Sequence, residues 1–337
     1  MRSFDPAEHP IPVIHRLLLS GVAPRPIALV SSMDTDGVVN LSPFSFFNAF
    51  GANPPVIIVS PAYRGKDGTP KHTFENIVST REFTVSASTY DMVEQINLAS
   101  ADYPQGVDEF VKSGLTKLPS KNVSPPGVAE SPFIMECRLL QHIDTGGKPA
   151  AGNLLLGEVV LFHVRESAFE GEHIDPQRLD LVARMGGDWY CRASGGALFR
   201  LPKPEINGIG IDALPEFIRE SPYLSGRDLA RLASVRELPD PVLIQRRWKQ
   251  DIERLYPDQH SADMFDVEVR IGHPRYALLC LFKDLKTHRI RREVAQHRLL
   301  RCASSFADAG DLAMAWECAL MSGMLDGLLP RSAENRS

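Results

Sequence analysis

The feature that most restricts the fold is a change of hydrophobic period along the chain. Up to "FRLPKPEINGIG" (199–210) the apolar residues come in short runs rich in β-branched side chains, and beyond it they recur every three or four positions. Runs of the first kind pleat into strands and those of the second wind into helices, so neither a single sheet nor a single bundle absorbs the whole chain. At 337 residues the chain also exceeds the usual reach of one hydrophobic core. The prolines and glycines of that segment mark a boundary, giving a mainly β domain over residues 1–204 and an all-α domain over 205–337.

In the first part, "IALVSSMDTDGVVNLS" (27–42) reads as a hairpin turning near Asp36-Gly37. "VIIVS" and "EFTVSAS" are further short strands, and "MECRLLQHID" and "LLLGEVVLFHVRE" flank a glycine-rich connection. Short strands separated by turns favour a barrel or sandwich over alternating strand-helix units. Tyr90–Ser100 and Val107–Gly114 read as short helices. In the last third, Leu243, Ile244, Trp248, Ile252 and Leu255 share helical spacing, as do Ala295, Leu299, Cys302, Ala303 and Phe306. Asp311 is the expected N-cap of a final helix carrying Leu312, Trp316, Ala319 and Leu320.

Several function classes lose support. The net charge of −5 gives no basic field for nucleic acid. The basic stretch Lys283–Arg301 has Ile290, Val294, Ala295 and Leu299 at helical spacing, so it reads as the solvated face of an amphipathic helix. No run approaches the ~18 apolar residues of a membrane span. The opening residues lack the pattern of a secretion signal. Five dispersed cysteines without a CxxC pair fit a reducing cytosol. There is no GxGxxG after a strand, no GxxxxGK[ST], no HExxH and no zinc-finger spacing, so no metal is expected.

What remains is a constellation near the N-terminus. "NLSPFSFFNAFGANPP" (40–55) mixes phenylalanines with Ser42, Pro43, Ser45 and Asn48, unlike a buried strand, and reads as a segment facing a polar ligand. In "PRPIALVSS" (24–32), Arg25 stands between two prolines, either as a fixed guanidinium for an anionic ligand or as a surface residue on a rigid lead-in. "KHTFEN" (71–76) joins the Lys71 ammonium and the Thr73 hydroxyl to a helix start. It suits either a phosphate monoester or a plain N-cap by Thr73 with Lys71 in solvent.

Taken in order, these segments resemble the flavin reductase-like, FMN-binding split-barrel proteins. "KHT", "ENI" and "TREFTVS" match that family's Lys-Asp-Thr triplet and the strand after it. "LLLGEVVLFHV" is similar to its late strand, and "ARMGGDWYCRASGGALFRLPKP" to its closing segment. The resemblance spans Ile11 to Pro204, with departures at His72, Ser86 and Leu29, where aspartate, asparagine and tryptophan are usual. It implies a six-stranded barrel closing its own edges, a homodimer, and non-covalent FMN at the subunit interface. It further implies Lys71 and Thr73 on the phosphate, Asn40, Ser42 and Ser45 on the ribityl chain or ring edge, Arg25 and Ser32 nearby, and Arg184 closing the site. The activity implied is NAD(P)H-dependent reduction of flavin or a small acceptor, with an oxygenase or other electron acceptor as partner. An FMN-dependent oxygenase covered by the C-terminal helices, or a non-catalytic flavin-binding module, are the alternatives. His163, alternating with apolar residues, either faces the site or is a satisfied barrel histidine.

Overall fold

The apolar run after Pro26 builds the strand at the heart of the first unit. β1 (Ala28–Met33) and β2 (Val39–Phe44) form the expected hairpin, turning where Gly37 takes a φ of 85°, a conformation that costs glycine nothing sterically. With β3 (Phe47–Ala52), β4 (Pro55–Val59), β5 (Glu82–Ala87), β6 (Phe133–Asp144) and β7 (Asn153–Val164) they make one antiparallel sheet, ordered β2-β1-β5-β6-β7-β4-β3. In this computed structural model residues 1–201, 203, 209–254, 264–287 and 290–325 are described, and the chain divides into two units, Met1–Arg200 and Leu201–Ser337.

The two edges of the sheet, β2 and β3, are joined by Ser45 and Phe46 alone, so the sheet curls until its edges come together at that bend. Among the described residues no ladder links them. The expected six-stranded barrel with closed edges is thus corrected to a seven-stranded split barrel open along one seam. Residues 40–55 are mostly edge strand, and Pro43 on β2 occupies the kind of position where a missing N–H is tolerated. The phenylalanines divide by role: Phe44 is in the core, Phe47 is partly buried, and Phe46 and Phe50 are exposed.

β1 is buried on both faces, which explains its unbroken apolar run. Ala28 and Val30 join Phe44, Ile57, Val59, Phe83 and Leu155 inside the barrel. Leu29 and Leu41 face outward into a second cluster with Ile96 of α3 (Val93–Ala99) and Phe110 of α4 (Glu109–Ser113). Two other helices precede these: α1 (Ile11–Gly21), with no fully buried residue, and α2 (His72–Thr80). The sequence reading missed α1, although Ile11, Ile14 and Leu18 have helical spacing. A smaller sheet pairs Arg25–Pro26 with β8 (Val182–Arg184), which pairs with β9 (Tyr190–Arg192).

The second unit is helical as expected: α5 (Gly226–Leu232), α6 (Pro241–Arg254), α7 (Phe265–Arg270), α8 (Pro274–Lys286), α9 (Arg292–Asp308) and α10 (Leu312–Gly323). Asp311 caps α10 by accepting from the Met314 N–H. Trp248 and Trp316 are buried, donating to Glu317 Oε2 at 2.9 Å and to the Leu232 carbonyl at 3.0 Å. In the basic stretch, Arg298 pairs with Asp284 at 2.5 Å and Arg301 with Asp266, so those charges are neutralised within the unit. Leu255 and the expected boundary at Pro204 lie outside the described residues. All five cysteines are unpaired. Burial pushes the Cys302 thiol up to about 12. Among the described residues no helix is long and apolar enough to cross a membrane, and no cluster of His, Cys, Asp or Glu could hold a metal.

Candidate functional site

Helix α2 starts at His72 with Lys71 as its N-cap, in extended backbone (φ −85°, ψ 150°) and without a side-chain capping bond. The simple N-cap by Thr73 is therefore not what forms. Thr73 sits inside the first turn, buried, and its Oγ1 accepts from Asn40 Nδ2 at 2.8 Å. That bond ties the start of α2 to β2. The first N–H groups of the helix carry partial positive charge with no capping partner, an arrangement suited to an anion.

These residues line a cavity of about 890 Å³. Asn40, Ser42 and Phe46 form one wall, Lys71, His72 and Thr73 a second, and Ile11 and His15 of α1 a third. Lys71 is the electrostatic centre. Its Nζ lies 5.5 Å from the centroid of the Phe44 ring, and it has no ion pair or hydrogen bond to a described residue. Loss of solvent holds its pKa below the ordinary lysine value, Arg64 adds to the effect, and Asp102 opposes it. Arg64 is differently placed: it donates to the Pro70 carbonyl and meets Asp102 at 3.3 Å, so its charge is compensated. A desolvated cation without a counter-ion, beside uncapped helix N–H groups, is a site awaiting an anion.

The remaining residues expected at the site are distributed around it. Ser32 is buried behind the wall, accepting from Asn76 Nδ2 at 3.3 Å. Ser45 and Arg184 line a neighbouring cavity of about 220 Å³ that shares Ser100 with the large one. Arg184 also donates to the Gly187 carbonyl at 2.8 Å and stacks over Tyr190.

Arg25 is only 4% exposed and lines neither cavity. Its guanidinium donates to the carbonyls of Leu19 (2.5 Å), Val22 (2.7 Å) and Met185 (3.0 Å) and to Ser45 Oγ (3.3 Å). Burial, then the nearby Arg184 charge, lowers its pKa. Its guanidinium is fixed, as one reading had it, but it is spent on binding the end of α1, the β2–β3 bend and the segment after β8 to one another.

His163 is paired with Glu136 at 2.6 Å, the satisfied histidine of the two readings. Sequence reasoning missed Glu109, which lines the large cavity and whose Oε2 accepts from the Leu41 N–H at 2.9 Å. No local signal marks it, since its partner is 68 residues away.

Comparison with known proteins bears on this arrangement. Residues 20–179 match the flavin reductase like domain. A protein of Halalkalibacterium halodurans is 40% identical over 196 residues, which cover 57% of this chain and 92% of that protein. Nitrilotriacetate monooxygenase component B from Bacillus cereus superimposes with a TM-score of 0.56 at 37% identity, over 60% of this chain and 98% of that one. A chain with a split barrel domain from Shewanella frigidimarina gives 0.52 at 28% identity, over 60% of this chain and 100% of that one.

Proposed function

The chain belongs to the flavin reductase-like family, and from that premise we propose that it binds FMN non-covalently in the large cavity and uses NAD(P)H to reduce flavin or a small acceptor. The observation that carries the reading is the uncompensated Lys71 ammonium at the start of α2, within a cavity of about 890 Å³, a volume inside the usual range for small-molecule sites. The residues present fit the cofactor. Lys71, Thr73 and the first N–H groups of α2 would hold the phosphate, and Asn40 and Ser42 the ribityl chain or ring edge. Ser45 and Arg184 would serve the ring end through the adjoining cavity, with Arg25 and Ser32 bracing the walls from behind.

The chemistry supplied by a bound flavin is two-electron uptake from a reduced nicotinamide and delivery to a second acceptor. The chain's own part is to bind, orient and shield. Ile11 and Phe46 add apolar lining to the cavity. No acid-base triad is needed for such a reaction.

An oxygenase is the proposed acceptor, supported by the likeness to a monooxygenase component. A second copy of the chain is the proposed partner, for which exposed Phe50 and Phe162 offer apolar surface. A reducing cytosol is the proposed setting, with all five thiols unpaired.

The test is an absorption spectrum of the purified protein and of the supernatant after heat denaturation, followed by NADH oxidation with added FMN. Flavin bands released on denaturation and NADH consumption are expected. A colourless protein that binds no added flavin would overturn the reading.

A further inference from the structure

The chain just before α3 is bonded to the segment that leads into the smaller sheet: the Tyr90 N–H donates to the Asp180 carbonyl and the Val182 N–H to that of Ser88, both at 3.0 Å. These parts line a groove of about 310 Å³. Val182, only 4% exposed, and the half-buried Val93 and Cys191 make much of its lining apolar, and the rings of Tyr90 and Tyr190 complete it. Both rings are held: the Arg192 guanidinium stacks over Tyr90 at 3.9 Å and that of Arg184 over Tyr190 at 4.5 Å. Arg192 also lines the groove, but its Nε and Nη2 donate to the Asp180 carboxylate at 2.7 and 2.6 Å, so its charge is already matched. Glu94 and Asn97, one turn apart on α3, add polar groups, and neither side chain bonds to another described residue.

We propose that this groove binds a neutral single-ring aromatic molecule carrying a hydroxyl or amino group. An aromatic ring packs well against tyrosines and beside a sulfur, and rings already fixed in place spare a ligand part of the ordering cost. An apolar cavity of about 150 Å³ takes up benzene, so the groove has room for one ring and its substituents. A hydroxyl or amine has a proton to give to the Glu94 carboxylate or to Asn97 Oδ1. A carboxylate of the same size meets the Glu94 charge with no free cation in the groove. Asn97 and Tyr190 also border the cavity of about 220 Å³ proposed for the ring end of the flavin. No residue of the groove is asked to hold the cofactor, so the inference stands apart from the flavin reading.

The test is calorimetric titration of the full chain, saturated with FMN to fill the large cavity, with 4-methylphenol, 4-methylcyclohexanol and 4-methylbenzoate. The phenol is expected to bind with a Kd below about 1 mM, and the other two about fivefold or more weakly. Val93→Trp, which fills the groove from α3, should weaken the phenol about tenfold, and Glu94→Lys should bring the benzoate level with the phenol or above it, both with FMN affinity unchanged. Glu94 is exposed, so its variant decides the matter even where Val93→Trp fails to fold. Absence of saturable phenol binding, or binding that is indifferent to these substitutions, overturns the proposal. A chain that binds no flavin overturns the flavin reading alone, and the same titrations without FMN still decide this one.

Discussion

Lys71 keeps its charge against loss of solvent and the field of Arg64, so a bound dianion relieves a strain already present. Two expectations follow at this residue. Lys71→Ala should weaken FMN binding by about tenfold or more, because a charge-assisted contact contributes about 1.5–3 kcal/mol, and should leave riboflavin affinity nearly unchanged. The preference for FMN over riboflavin should fade as pH rises through the lowered Lys71 pKa, below the ordinary value of about 10.4; fluorescence-quenching titrations at several pH values check it.

Glu136 shows the opposite kind of shift. Burial alone would raise its pKa, but the Lys121 N–H, the His163 ring and the Asn122 N–H together hold the carboxyl below its ordinary value. Its ionised form therefore adds stability that is present above the unfolded carboxyl pKa of about 4.3 and lost as pH falls through the folded one. Glu136→Gln should lower stability at neutral pH by about 2 kcal/mol and flatten the acid side of the stability curve, as urea melts at a series of pH values would show. Lys71 and Thr73 were legible in the sequence because a cation, a hydroxyl and a helix start are adjacent in the chain. The role of Arg25 was not, since main-chain carbonyls supply three of its four acceptors, and atoms that every residue possesses leave no mark in a sequence.

The elements were legible where one periodicity ruled. The β1–β2 hairpin and the capped helix α10 follow from Gly37 and Asp311, each the residue type its position requires. Strands β2 and β3 were harder to read because an edge strand obeys looser rules: it accepts Pro43 and exposes Phe50. Gly157 illustrates what a central strand demands instead. A Cβ there would lie 2.4 Å from the tip of the Phe83 ring, which is fully buried and cannot swing aside, at a register shift between β6 and β7. Gly157→Ala should cost about 1–3 kcal/mol of stability by overpacking. Thermal melts check this, and Phe83→Leu in the same chain should recover part of the loss by making room.

On the scale of the whole molecule, each core cluster draws on one unit only: the barrel's two from Met1–Arg200, the helical one from Leu201–Ser337. A fragment ending at Arg200 should fold and bind FMN with an affinity close to that of the full chain; an insoluble or non-binding fragment would show that the units fold as one. The division into a β part and an α part was visible in the changing period, whereas the open seam was not, since strand order in space is set by long-range pairing. That seam has a mechanical consequence. The chain steps from one border of the sheet to the other through Ser45 and Phe46, and Ser42 and Phe46 also shape the large cavity. Uncurling the barrel and widening the pocket are therefore one displacement rather than two, so a molecule wedged in the pocket acts as a clasp on the entire sheet.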